Sequence, residues 1–107
     1  MYYYQNQALT KIVKRLKKEL SGRIISIYAF GSRVRGDHNG WSDFDILVIV
    51  NQKAPDLEAQ IISIFIDEEV KSGLSFTPLI KDSKAFEMEK KFNTPFYENI
   101  SKEGVLL

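Results

Sequence analysis

Apolar residues recur at helical spacing from Leu9 through Ile12, Val13 and Leu16 to Leu20, and Ser21-Gly22 follows as a stop, which predicts an amphipathic first helix. The pattern then shortens. Ile24 to Phe30 is apolar and rich in β-branched residues, the signature of a buried strand, and it runs into Gly31-Ser32. Asp37-His38-Asn39-Gly40 has turn chemistry, and Phe44 to Val50 reads as a second strand. Pro55-Asp56 opens a helix whose apolar stripe takes in Leu57, Ile61, Ile64, Phe65 and Val70, with Gly73 as terminator. Leu74 to Ile80 is the third predicted strand. Its Pro78 cannot donate a ladder hydrogen bond, so the strand belongs at an edge or ends there. Ser83 is expected to cap a helix through Phe92, and Thr94-Pro95 to begin another that Gly104 ends. The apolar Val105-Leu106-Leu107 is expected to pack back on the domain or on a partner. The order predicts a small α/β or α+β domain, a mixed β-sheet flanked by helices.

Composition narrows what such a domain does. A chain of 107 residues suits one domain spanning 1–107, with no room for a separate substrate-recognition domain. Hydrophobic and charged fractions of 44% and 27% argue against disorder. No apolar run approaches the roughly 20 residues that cross a bilayer, and the start lacks a signal-peptide pattern, so no membrane association and a cytoplasmic location are expected. With no cysteine and His38 as the one histidine, a zinc site of nitrogen and sulfur ligands is excluded, and a metal has to be held by carboxylates. A net charge of +1 exerts no global pull on nucleic acid. The first helix does carry Lys11, Lys14, Arg15, Lys17 and Lys18, ordinarily a solvated face and alternatively a phosphate or partner surface. It lacks interleaved aromatics, so direct nucleic-acid binding is not expected.

The chemistry gathers around two short stretches, Phe30 to Gly36 and Ser42 to Val48. In an extended strand Asp43 and Asp45 fall on one face, separated by roughly 7 Å of backbone rise, and like charges so placed call for a cation such as Mg²⁺. Asp45 interrupts an apolar run, where an unpaired carboxylate is expensive; Asp43 taken alone is better explained by a helix cap or a turn. Gly31 permits a tight turn and close approach to a ligand, and Ser32 offers a hydroxyl and an amide to a phosphate oxygen. If Ser32 begins a short helix through Arg35, its amides present a positive helix end to an anion. Arg33 and Arg35 are either triphosphate contacts or loop cations that neutralise Asp37 and Asp43. His38 reads as a solvated loop residue, and Trp41 and Phe44 as packing beside the site, with base stacking the alternative for Trp41.

Gly31-Ser32, ten residues, then Asp43-x-Asp45 resembles the signature of the DNA polymerase beta-like nucleotidyltransferase superfamily. The fuller string around Arg33, Gly36 and Ser42, the Pro78 strand and the Asn93-Thr94-Pro95-Phe96 to Val105 tail look like its minimal nucleotidyltransferase (MNT) branch, over nearly the whole chain. The resemblance implies a nucleotidyltransferase fold in which Asp43 and Asp45 bind catalytic Mg²⁺. It implies a nucleotide grip at Gly31 and Ser32, extended by Arg33, Arg35 and Ser42. The implied reaction moves a nucleoside monophosphate, AMP by the resemblance, from a nucleoside triphosphate to an acceptor hydroxyl. Many minimal members are encoded with a helical HEPN partner in toxin-antitoxin pairs, as antitoxin, and some adenylylate a partner tyrosine. A HEPN-domain partner is therefore expected by resemblance, with homo-oligomerisation left open.

One departure stands out. Active members of the superfamily place a third carboxylate on the following strand, where this chain offers Ser75 and Thr77. Asp82 lies just beyond, but its parity matches Phe76 and Ile80 on the other face. A catalytically impaired, partner-binding module of the same fold is therefore the competing expectation.

Overall fold

The computed structural model describes residues 7–31 and 44–107, apart from the side chain of Phe44. Helix α1 (Gln7–Glu19) buries Ala8, Leu9, Ile12 and Leu16 along one side. Strands β1 (Ile24–Phe30) and β2 (Phe44–Val50) follow, then the long helix α2 (Pro55–Ser72) and strand β3 (Phe76–Asp82). Helices α3 (Ser83–Phe92) and α4 (Pro95–Glu103) lead to a two-residue strand, β4 (Val105–Leu106).

The sheet has the order β3-β2-β1-β4. β1 is antiparallel to β2 and β4, whereas β2 and β3 run parallel with α2 as the crossover, so the sheet is mixed as expected. β2 is covered on both faces, which explains its unbroken apolar run. Ile46, Val48 and Val50 point into a cluster with α1 and α2 that includes Leu9, Ile12, Leu16, Leu57, Ile61 and Phe65. Leu47 and Ile49 point the other way, to Ile100 of α4, with Tyr28, Phe30, Phe86 and Phe96 packed around them.

Local chemistry sets the element ends. Pro55 opens α2, and Gly73, at φ 76°, closes it by donating its N–H to the Glu69 carbonyl at 2.8 Å. Thr94 caps α4 by accepting from the Tyr97 amide at 3.2 Å, with Pro95 in the first turn. Three sequence expectations shift and a fourth holds. β3 starts at Phe76 rather than Leu74, where the Phe76 amide donates to Glu69 Oε2 and pairing with β2 begins. The cap of α3 is Asp82, one residue before Ser83, accepting from the Ala85 amide at 2.7 Å. Val70, assigned to the apolar stripe of α2, is 79% exposed because it lies on the opposite side of the helix from Leu57 and Ile61. The tail does pack back, as β4 on β1, with the Leu107 amide donating to the Ile27 carbonyl at 2.9 Å.

A polar tie joins α1 to α2. Arg15 donates to Glu19 at 2.9 Å, to Asp67 at 2.6 Å and to Glu68 at 3.0 Å. Glu68 is buried, so its carboxylate needs such a partner. The three acids, Glu19 foremost, hold the guanidinium further above its usual range, and Arg15, then Lys71, hold the Asp67 carboxyl below its own.

Candidate functional site

β1 ends and β2 begins at the same edge of the sheet, and the candidate chemistry lies there. Asp45 is the second residue of β2, half-buried, and shares its face with Leu47 and Ile49 rather than with the α1/α2 core. In register it stands between Phe30 on β1 and Thr77 on β3. Gly31 follows Phe30 and turns the chain at φ 96°. A Cβ at Gly31 would overlap Asp45 Oδ2 and lie 3.2 Å from its Cγ, so the backbone and the carboxylate meet with no room for a side chain. The glycine and the aspartate that open and close the sequence motif are thus in contact.

Of the other predicted site residues, Ser32, Arg33, Arg35, Ser42 and Asp43 lie outside the described residues, as do His38 and Trp41. Among the described residues no group of three or more histidine, aspartate or glutamate side chains is arranged to hold a metal ion. The place where a third carboxylate would stand is now fixed. Pairing of Asp45 with Thr77 puts a threonine beside the aspartate on the same face, while Ser75 precedes the strand. Asp82 is no substitute. It pairs with Val50, five residues and roughly 17 Å along the strand from Asp45, and its carboxylate is spent on capping α3.

Sequence patterns missed the wall on the α3/α4 side. Phe30 meets Phe96 edge-on, with ring centroids 6.1 Å apart, and Lys81 Nζ sits 4.8 Å from the centre of the Phe96 ring. Lys81 also pairs with Glu89, which accepts from Thr94 Oγ1 at 2.9 Å. Burial pushes the Glu89 carboxyl up, but the Lys81 and Thr94 contacts outweigh it and hold it below the ordinary carboxylate range. No periodicity signals this arrangement, because it joins four separate elements. A concavity of about 410 Å³ lies further along the same face, lined by Tyr28, Ile49, Phe86, Tyr97 and Ile100 among others. Neither Gly31, Asp45 nor Thr77 lines it, so it is distinct from the motif. No helix among the described residues is long and apolar enough to cross a membrane.

Comparison with known proteins bears on this geometry. A relative from Methanocaldococcus jannaschii, MJ0604, carries the name protein adenylyltransferase; it is 31% identical over 104 residues, covering 96% of this chain and 97% of the relative. A second from the same organism, MJ0141, named likewise, is 28% identical over 102 residues, covering 91% and 96%. Two solved structures share the fold. A toxin-antitoxin crystallised with AMP-PNP superposes with a TM-score of 0.58 at 17% identity, covering 94% of this chain and 72% of that one. The toxin-antitoxin MntA-HpeT gives 0.54 at 20% identity, covering 92% and 69%. At those identities the likeness speaks for the fold alone. The family model for the nucleotidyltransferase domain matches residues 9–107, the span that carries both the Gly31 turn and the Asp45 strand, and the chain belongs to that enzyme family.

Proposed function

We propose that this chain, working as one minimal domain, transfers AMP from ATP to a hydroxyl group of a protein, with Asp43 and Asp45 as the Mg²⁺ ligands. Gly31 and Ser32 grip the phosphates, and Arg33, Arg35 and Ser42 extend the grip. The observation that supports this is the close approach of the Asp45 carboxylate to the Gly31 backbone, which brings together the Gly-Ser turn and the Asp-x-Asp strand of the motif. Oxygen donors of this kind suit a hard divalent ion, and Mg²⁺ when bound supplies positive charge to the triphosphate. In the reaction the acceptor oxygen bonds to the α-phosphorus, the bond from that phosphorus to the diphosphate breaks, and pyrophosphate leaves. The acceptor hydroxyl gives up its proton as the new bond forms, to Asp45 or to water. The names of the relatives from M. jannaschii support a protein acceptor, and the description of the structural neighbours as toxin-antitoxin is in keeping with a partner protein, whose HEPN character rests on the sequence resemblance.

A second reading is favoured by one observation, Thr77 in register with Asp45. A neutral hydroxyl there removes a charge that helps fix the ion activating the acceptor, so the protein would hold nucleotide and partner with little turnover. One experiment separates the two. Thermal midpoints of wild type and Asp45→Asn are measured with ATP, with and without Mg²⁺, alongside label transfer from α-³²P-ATP to candidate proteins. A Mg²⁺-dependent rise lost in the variant, together with label transfer, supports the transferase. The rise without transfer supports the binding module, and no rise removes the nucleotide site itself.

A further inference from the structure

The edge of the sheet that carries Asp45 also carries a hydroxyl. Thr77 of β3 is in register with Asp45 of β2, on the same face, and strands pair at roughly 4.8 Å, so the two side chains leave the backbone as immediate neighbours. On its other side Asp45 pairs with Phe30, whose side chain offers no polar atom. Other described hydroxyls of this side are further off or engaged. Ser75 precedes the strand, Tyr28 lies two residues along β1 from Phe30 with its ring against Phe86 at 6.3 Å, and Thr94 Oγ1 donates to Glu89. Thr77 is exposed, and among the described residues no strand lies beyond β3 to crowd a group attached there. A hydroxyl brings no charge to a metal, but it is the functional group of an acceptor.

We infer that Thr77 is itself an acceptor: with ATP and Mg²⁺ bound and no partner protein docked, the chain transfers AMP to its own Thr77 hydroxyl. The inference rests on the proposed function and deepens it by naming an acceptor within the chain. Thr77 Oγ1 bonds to the α-phosphorus, the bond from that phosphorus to the diphosphate breaks, and pyrophosphate leaves; the hydroxyl proton passes to Asp45 or to water. Proximity makes this acceptor hard to avoid. Well-oriented groups in one molecule react as though present at roughly 10⁵ M or more, and a displacement of about 1 Å costs about 10²-fold, so a strand-held hydroxyl beside the site outcompetes a dissolved one even from an imperfect pose. The product is a phosphodiester carrying adenosine next to Asp45, in the place of a second nucleotide. Self-transfer therefore stops at one adenylate per chain and closes the site, and an acceptor from elsewhere has to arrive before it.

The test incubates the full chain alone with Mg²⁺ and α-³²P-ATP, with γ-³²P-ATP in parallel, and maps the label by mass spectrometry of peptides. The α label is expected on Thr77, to no more than one adenylate per chain, and the γ label nowhere, because pyrophosphate carries it away. An adenylate already on Thr77 in the purified chain counts as the expected result. Thr77→Ser should keep the label and Thr77→Val should lower it at least about tenfold. Both changes fall at an exposed position, and unchanged thermal midpoints without nucleotide certify folding. The labelled fraction at a given time should not change on dilution of the protein, as transfer within one molecule requires. The modified chain, freed of ATP, should no longer show the Mg²⁺-dependent rise in thermal midpoint with ATP that the unmodified chain shows, a readout that needs no turnover. A rise with ATP and Mg²⁺ but no label on Thr77 overturns the inference and leaves the nucleotide reading standing; absence of both overturns the two together. Label confined to other residues, label on Thr77 that falls with dilution, or label undiminished in Thr77→Val also overturns it.

Discussion

Replacing Gly31 with alanine attacks the contact on which the site is built, and two separate costs can be worked out. The first is conformational: φ is 96°, a region where an L residue loses roughly 1–2 kcal/mol relative to glycine. The second is steric, since the new Cβ would overlap Asp45 Oδ2 and press on Cγ at 3.2 Å. Asp45 is short and stands in register between Phe30 and Thr77, so it yields only by displacing neighbours, an overpacking cost of about 1–3 kcal/mol. Together the substitution should destabilise by about 2–5 kcal/mol. At roughly 4–8 °C per kcal/mol for a domain of this size, the midpoint should drop by about 10 °C or more.

The two costs separate in a double-mutant cycle with Asp45→Ala, measured by urea denaturation. Asp45→Ala keeps only the Cβ, 3.5 Å from the added methyl and an ordinary contact, so it relieves the steric part alone. Gly31→Ala should then cost only about 1–2 kcal/mol in the alanine background. A cost under about 0.5 kcal/mol in the wild-type background would refute the close approach. The same cost in both backgrounds would show that the carboxylate is not what the methyl meets.

Three further outcomes follow from the structure. Lys81→Met should cost about 1–3 kcal/mol at pH 7 by stripping Glu89 of its cation. Because the folded Glu89 carboxyl is depressed, that stabilisation is present above the unfolded value near 4.5 and is lost as pH falls through the lower folded value; the gap between wild type and variant should therefore narrow as pH falls below about 4.5, and a constant gap would refute the assignment. Thr77→Asp adds a carboxylate in register with Asp45 and should lower the Mg²⁺ concentration needed for the ATP-dependent rise in thermal midpoint by about tenfold; an unchanged Mg²⁺ response would mean that Thr77 lies outside the site. Asp82→Ala should cost about 0.5–2 kcal/mol through the lost cap of α3 while leaving the response to ATP and Mg²⁺ intact; a weakened response would return Asp82 to the site.

What the sequence made legible is what local chemistry decides. The bounds of β1 and β2 follow from apolar runs that stop at Gly31 and start just after Asp43, and those of α2 from Pro55 and Gly73. What it hid depends on partners. The start of β3 is set by the β2 ladder and by Glu69 reaching the Phe76 amide, neither visible in a run that reads as apolar from Leu74. β4 is two residues long and exists because β1 has a free edge beside the end of α4. Val70 fits an apolar count but not the helical angle, which sets it on the exposed side of α2. The Gly31-to-Asp45 contact was legible as a motif and not as a distance, because strand pairing brings the two together across fourteen positions of chain.

Register also decides how much positive charge this site can balance. Asp45 contributes one negative charge among the described residues, Thr77 beside it none, and Phe30 on the other side none. Asp43 lies outside the described residues; with the role proposed for it above, the protein's share is two charges, the equivalent of one divalent ion. A triphosphate brings negative charge of its own, so nucleotide and ion neutralise each other as they enter, and the protein need only place them. A charge pair at 4 Å near a protein surface is worth roughly 4 kcal/mol before desolvation, and that is the scale of attraction forgone where threonine stands in place of a carboxylate. Under the proposed function, such a site is better provided for holding a metal-bound nucleotide than for activating an incoming hydroxyl, and the acceptor's own environment has to make up the difference. A protein acceptor held in a fixed pose supplies such an environment through positioning.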